Sequence, residues 1–164
     1  IRESTTPGIS IAVAGHCDLT HNVWVTHSVV QEAESRIAGL TCRVTRYDYS
    51  WSFAFEKVCT LVVACPWRLL RKGSVVLAGR DDGQQYGLPE PVNCEDRANS
   101  LMQGAKVSRF QLVELSADLI VTFDNGVRLE TFTNSIGYES WQINFRSGGT
   151  KLIVGMGGGG LSIL

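Results

Sequence analysis

Three kinds of feature are scarce in this chain of 164 residues, and each scarcity excludes a class of protein. Only 19% of its residues are charged, against roughly 25% in ordinary soluble domains, and 15 basic side chains nearly cancel 16 acidic ones. No basic run is longer than Arg71-Lys72, so the sequence offers no electrostatic footprint for nucleic acid. No stretch approaches the roughly 18 consecutive apolar residues that cross a bilayer. We therefore expect neither nucleic acid nor a membrane as partner.

Paired cysteine motifs are also missing. The chain has five cysteines, an odd number, and no two have CxxC spacing. Such a set is typical of reduced thiols and predicts a cytoplasmic protein. The apolar run from Ile9 to Ala14 is short for a signal-peptide core and lacks a basic segment before it, so it does not indicate export.

The length and the 44% hydrophobic content are sufficient for a core without disulfides or a structural metal.

The sequence indicates an internal repeat of about 65 residues. Gly39 and Gly104 each close a helix-like segment that precedes a strand-like one. Alternating residues then match at an offset of 68: Trp51, Phe53, Phe55 with Leu119, Val121, Phe123, and Cys59, Leu61, Val63 with Val127, Leu129, Thr131. We predict one domain, 1–164, with repeat units at about 23–88 and 94–164 and an N-terminal extension over 1–22.

Turn chemistry predicts three hairpins. Asp124-Asn125-Gly126 suits a tight primed turn. The other two loops are Asp81-Asp82-Gly83, between Val75 to Leu77 and Gln85 to Leu88, and Ser147-Gly148-Gly149, between Trp141 to Phe145 and Lys151 to Val154.

Helical signals are fewer. One helix is predicted from Val23 to Ala38, capped by Asn22, and another from Cys94 to Gln103, capped by Asn93. The predicted fold class is mainly β: an antiparallel sandwich or barrel-like roll from two units related by a pseudo-twofold, with two short helices.

Several segments together resemble a family of small, mainly actinobacterial proteins of unknown function built from two similar β units. The resemblance covers about Gly39 to Leu164, and it supplies a fold but no substrate or catalytic residue. The segments that carry it are Gly39 to Tyr49, Pro66-Trp67-Arg68-Leu69, Gly104-Ala105-Lys106-Val107, Asp124 to Leu129, Tyr138-Glu139-Ser140-Trp141 and Gly157 to Leu161.

Gly155, Gly157 and Gly160 reproduce the G-x-G-x-x-G spacing of dinucleotide-binding loops. That loop holds pyrophosphate only when a helix follows it, and only Leu161 to Leu164 remain here. We interpret these glycines as sites of bending or close backbone approach before a last apolar strand, and we expect no cofactor.

All three histidines lie near the start of the chain, beside a cysteine and an aspartate. His16, Cys17, His21 and His27 are possible zinc ligands by residue type, although no two of the histidines are four residues apart and no CxxC pair occurs. A metal-dependent hydrolase is therefore one functional alternative.

Aromatic side chains outside the buried register lie near strand ends beside charged residues. Aromatic residues and arginine dominate protein interfaces, although large aromatics at strand ends also close cores. The candidate partner-binding residues are Tyr47, Asp48, Tyr49, Trp67, Arg68, Tyr138, Glu139 and Trp141.

No G-x-S-x-G elbow occurs, and no cysteine has the sequence context of a known nucleophile motif that would assign it a base. We therefore predict a non-enzymatic cytoplasmic binding module that acts on another protein, such as an immunity-type protein that inactivates its partner. A small-ligand sensor with a pocket between the two β units is the main alternative.

Overall fold

The structure is a computed structural model that describes the backbone of residues 19–164 and the side chains of residues 27–164. The segment Ile9 to Ala14 and the residues His16 and Cys17 lie outside the described residues. The elements are α1 (Leu19–Ile37), β1 (Cys42–Tyr47), β2 (Ser50–Phe55), β3 (Cys59–Val63), β4 (Trp67–Arg71), β5 (Ser74–Ala78), α2 (Cys94–Leu101), β6 (Val107–Val113), β7 (Asp118–Phe123), β8 (Val127–Thr131), β9 (Trp141–Phe145), β10 (Leu152–Gly155) and β11 (Leu161–Ile163). Short 3₁₀ turns occur at Gly79–Asp81 and Gly157–Gly159.

The strands form two antiparallel sheets. Sheet I has the order β1-β2-β3-β9-β10-β11, and sheet II has the order β5-β4-β8-β7-β6. This confirms the predicted mainly β class with two helices within residues 19–164. Both sheets stay open, so the described chain does not form a closed barrel.

The hairpins cross from one half of the chain to the other. The β4–β5 hairpin of the first half pairs with β8, and the β9–β10 hairpin of the second half pairs with β3. Each sheet therefore contains three consecutive strands from one half, β1–β3 or β6–β8, extended by strands from the other half.

One apolar core lies between the sheets. The burial of β2 and β7 alternates as the sequence pattern predicts, with every second residue buried. Trp67 of sheet II packs edge-on against Trp51 and Phe53 of sheet I, with ring centroids 5.1 and 5.4 Å apart. The same buried cluster includes residues of both helices, so it joins all layers of the fold.

The two helices hold edge strands through matching side chains. Asn99 of α2 accepts a hydrogen bond from the Val44 amide of β1 at 2.8 Å and donates one to the Val44 carbonyl at 2.8 Å. Glu34 of α1 accepts from the Phe110 amide of β6 at 3.3 Å. Each helix thus binds an edge strand that belongs to the other half of the chain.

Both predicted helices are present, but their observed ends differ from the predicted ones. Asn93 caps α2 by accepting a hydrogen bond from the Asp96 amide at 3.0 Å, but the helix ends at Leu101 and not at Gln103. The first helix starts at Leu19, so Asn22 lies inside it and is not its cap. An asparagine inside a helix costs well under 1 kcal/mol, so its presence does not force the helix to begin there.

The hairpin at Asp124-Asn125-Gly126 is confirmed, but its predicted turn type is wrong. Only Gly126 has a positive φ, at 81°, and its amide donates to the Phe123 carbonyl. This is a three-residue loop with glycine in the left-handed position. The φ of Asn125 is not positive, and its side chain donates to the Leu101 carbonyl and accepts from the Val127 amide.

The other two predicted loops differ in outcome. The Ser147-Gly148-Gly149 loop joins β9 to β10 as predicted. A strand over Gln85 to Leu88 does not form, because Tyr86 and Gly87 have positive φ values of 46° and 75° that break an extended backbone. The interpretation of Asp81 and Asp82 as turn residues holds, since their carboxylates accept from the Ala78 and Cys94 amides.

The glycine-rich segment near residue 157 is a site of close backbone approach. A Cβ at Gly157 would lie closer than 3.0 Å to the backbone of Gly137, and one at Gly159 would collide with the Leu115 carbonyl. The predicted last apolar strand exists as β11 and pairs with β10 in sheet I.

Candidate functional site

Two buried tryptophans occupy matching places in the two sheets. Trp67 begins β4 and is 3% exposed, and Trp141 begins β9 and is 2% exposed. Each indole packs on a glycine at the end of the next strand: Gly79, directly after β5, for Trp67, and Gly155, the last residue of β10, for Trp141. A Cβ on either glycine would lie closer than 3.0 Å to the indole ring, so the close packing depends on glycine at both positions.

The two indole N–H groups differ in their partners. Trp141 Nε1 donates to the Ala117 carbonyl at 2.6 Å. Trp67 Nε1 is buried and has no hydrogen-bond partner among the described residues. Ala117 directly precedes β7, and the residue that directly precedes β2 in the first half is Tyr49, whose side chain is 98% exposed. The turn at Tyr49 therefore gives Trp67 Nε1 no acceptor, whereas the Ala117 carbonyl accepts from Trp141 Nε1.

An open cavity of about 660 Å³ lies beside Trp67. We call it the Trp67 pocket. It lies among the starts of β2 and β4, the residues that follow β5 and the residues that follow β8. Its lining residues are Tyr49, Trp51, Ala64, Cys65, Pro66, Trp67, Arg68, Ala78, Gly79, Arg80, Phe132 and Asn134.

The charged groups of the Trp67 pocket are two arginines, and none of its lining residues is acidic. Arg68 binds the nearly buried Glu130 carboxylate, with Nε and Nη2 at 2.8 and 2.7 Å, and stacks over the Phe132 ring at 4.7 Å. Arg128 holds the other oxygen of Glu130 at 2.6 Å. Arg80 is exposed and makes no ion pair with another described residue. The pocket therefore has an apolar wall and a positive rim.

The structure brings together three of the eight predicted partner-binding residues. Tyr49, Trp67 and Arg68 line the Trp67 pocket, and Tyr47 and Asp48 lie in the exposed turn that carries Tyr49. Tyr138 and Glu139 are exposed in the loop before β9 and do not line the pocket, while Trp141 is enclosed in the core.

Sequence reasoning missed Arg80, Phe132 and Asn134. Phe132 and Asn134 follow β8, which becomes a neighbour of β4 only through the crossed hairpin. The positions of Phe132 and Asn134 in the sequence therefore did not indicate that they lie beside β4. The one available signal for Arg80 was its place directly after Gly79, at the end of a predicted strand.

Of the four predicted metal ligands, only His27 has a described side chain; His16, Cys17 and the side chain of His21 lie outside the described residues. His27 is exposed, and its Nε2 lies 2.9 Å from Gln31 Nε2 along the same helix. The backbone of His21 lies in α1. Among the residues whose side chains are described, no group of three His, Cys, Asp or Glu residues lies in metal-binding proximity.

The described cysteines are free thiols with weakened acidity. Burial raises the pKa of Cys59 and of Cys65 to about 11, and burial followed by the charge of Asp82 raises the pKa of Cys94 to about 12. Burial also raises the pKa of Cys42 above its ordinary value. These four thiols are protonated at neutral pH and lack the thiolate form that acts as a nucleophile.

No family model matches the chain, and comparisons with curated proteins and with solved structures give no significant match. Neither helix in the described residues is both long enough and apolar enough to cross a membrane.

Proposed function

We propose that the protein is a non-enzymatic binding module whose recognition site is the Trp67 pocket. One observation carries this proposal: a concave cavity combines aromatic walls with an unengaged arginine and a buried donor that lacks an acceptor. Groups that are polar, convergent and unsatisfied within an apolar cavity are typical of ligand sites.

The dimensions of the pocket favour a small organic ligand. Its volume of about 660 Å³ lies within the roughly 300–1,000 Å³ of small-molecule sites. Its residues come from both predicted repeat units, since 49–80 belong to the first and Phe132 and Asn134 to the second. This arrangement supports the ligand-sensor alternative of the sequence analysis.

A protein partner is the second candidate, and the exposed residues around the turns favour it. Tyr47, Tyr49 and Tyr138 are 67%, 98% and 82% exposed. Exposed tyrosines provide a large contact area at a small cost in side-chain entropy. An immunity-type protein that covers an enzyme or toxin would use such a surface.

The two candidates are separated by a thermal-shift screen of soluble metabolites. A ligand that binds the folded state raises the melting temperature as its concentration rises. We expect a ligand of the Trp67 pocket to stabilise the wild type and the Arg97→Ala variant, whose exposed arginine lies on α2, but to lose most of its effect on Arg80→Ala. Stabilisers that act equally on all three proteins would contradict the proposed site.

We also propose that the chain is a fused duplication belonging to the resembled actinobacterial family. Gly39 and Gly104 both have left-handed φ values, 79° and 70°, after their helices. The tryptophan–glycine pairs and the matching strand orders support the same proposal. The free thiols support a reducing, cytoplasmic location.

A further inference from the structure

We infer that the Trp67 pocket binds the carboxylate of an apolar organic anion, with Trp67 Nε1–H and the Arg80 guanidinium as donors. This inference deepens the proposed function and rests on it. The carboxylate belongs to a free small molecule or to the end of a peptide chain, since both present the same group.

The second half of the protein shows what the Trp67 indole requires. Trp141 stands at the matching strand start, on the matching glycine, and its N–H is bonded to the Ala117 carbonyl. At Trp67 the surroundings are as buried, but the acceptor is missing. A buried donor without an acceptor is unfavourable, so a ligand that supplies an oxygen there gains that hydrogen bond.

The charge of the pocket selects an anion. Arg68 is already neutralised by Glu130, which it shares with Arg128, so its role is to stack on Phe132 and fix the wall. Arg80 has no such partner among the described residues and is free to pair with an incoming carboxylate. Arginine binds carboxylates through two parallel hydrogen bonds, which a neutral amide cannot match.

The aromatic wall selects the rest of the ligand. The lining of the cavity includes Trp51, Trp67 and Phe132 beside Pro66, and Phe132 is the one of the three aromatic residues that is only half-buried. A phenyl or similar apolar group would bury its surface there while its carboxylate faces Arg80. A fully hydrophilic anion would gain only the charged contact.

Access to the indole nitrogen requires a small movement of the pocket wall. Less than 1 Å² of Trp67 Nε1 is exposed. The turn carrying Tyr49 has the least packing to lose, because the Tyr49 side chain is almost fully exposed and Asp48 has a positive φ of 37°. We expect this turn to shift when the ligand enters.

The test uses NMR of the whole protein labelled with ¹⁵N, in which each tryptophan indole gives one N–H signal. Trp67→Phe, Trp51→Phe and Trp141→Phe identify three of the four signals. The probes are benzoate, neutral benzamide and cationic benzylamine, each up to about 10 mM, a range that reveals dissociation constants in the millimolar range. We expect benzoate to move the Trp67 signal downfield and to leave the Trp141 signal in place.

Matched variants identify the charged donor. Arg80→Gln should weaken benzoate binding by about fivefold or more through loss of a charged pair, and Arg97→Gln should leave it within about twofold. Acetyl-Gly-Phe with a free carboxylate, compared with its amide, separates the two ligand sources. Tighter binding of the peptide acid than of benzoate identifies a chain terminus, and the reverse order identifies a small molecule.

Failure of this inference is distinguishable from failure of the proposed function. If benzamide shifts the Trp67 and Trp51 signals as strongly as benzoate, the pocket is a binding site but does not select anions, and the inference is overturned. If no probe moves either signal, the inference and the proposed site are both overturned.

Discussion

At the scale of single residues, the closest packing occurs where an indole lies on a glycine. We predict that Gly79→Ala and Gly155→Ala each destabilise the fold by about 1–3 kcal/mol or more, because the new methyl group would collide with Trp67 or Trp141. Urea unfolding of the purified variants measures the loss.

Gly137→Ala is the matched control for these two substitutions. A Cβ there meets nothing within 4 Å, and its φ is not positive. We expect its free energy of unfolding to stay within about 0.5 kcal/mol of the wild type. Equal losses at all three glycines would show that general backbone effects, and not the indole contact, are responsible.

The two indole N–H groups should differ in their contribution to stability. Trp141→Phe leaves the Ala117 carbonyl without its donor, whereas Trp67→Phe removes a donor that has no partner among the described residues. We predict that Trp141→Phe costs about 1–3 kcal/mol more than Trp67→Phe. Chemical denaturation of both variants tests this, and equal costs would indicate that the Ala117 hydrogen bond contributes nothing net.

The buried thiols predict loss of stability in alkali. Burial raises the pKa of Cys59 from 9.0 to about 11 in the folded state, so the folded protein favours the neutral thiol. The resulting stability is complete below about pH 9 and falls as the pH rises to about 11. Unfolding experiments across this range should show a flatter decline for Cys59→Ala than for the wild type. Parallel curves would contradict a raised pKa at Cys59.

At the scale of elements, side chains of the helices bond backbone groups of edge strands that have no neighbouring strand on that side. Asn99 satisfies both the amide and the carbonyl of Val44 on edge strand β1. We predict that Asn99→Ala destabilises the protein by about 1–3 kcal/mol and speeds amide hydrogen exchange at Val44. Asn144→Ala, on an exposed position of β9, is the control and should leave the Val44 exchange rate unchanged.

Elements set by local chemistry could be predicted from the sequence. Asn93 and the acidic residues after it marked the start of α2, and Asn125-Gly126 marked a hairpin. The absence of a strand over Gln85 to Leu88 could not be predicted, because Gly83 and Gln84, directly before it, pair with Val92, and the Leu88 amide bonds back to the Gln85 carbonyl. A run of suitable residues does not reveal which backbone groups it will meet.

At the scale of the whole molecule, the crossed hairpins place strands from both halves of the chain in each sheet. Fragments 19–92 and 93–164 would each lack strands of both sheets. We predict that neither fragment folds alone and that the intact chain unfolds in one transition, with far-ultraviolet and near-ultraviolet circular dichroism coinciding. An independently folded fragment would contradict this prediction.

The crossing also limits how much of the site the sequence could predict. Alternation at an offset of 68 correctly placed the inward residues of β2 and β7, because burial has a period of two along a strand. It could not reveal that β4 pairs with β8, and this pairing places Phe132 beside Arg68. Tyr49, Trp67 and Arg68 were therefore predicted as partner-binding residues, and a pocket between the two units was predicted only as an alternative, without the residues that line it.

The order in which strands meet has a consequence during synthesis. The β4–β5 hairpin leaves the ribosome well before its neighbour β8. The delay between the synthesis of β3 and that of its neighbour β9 is longer still. Both sheets thus stay incomplete until most of the chain has been translated, with the ring surfaces of β2 and β4 uncovered in the meantime. Nascent chains of this protein should depend on chaperones that shield apolar segments, and slower translation should not let the first half fold early.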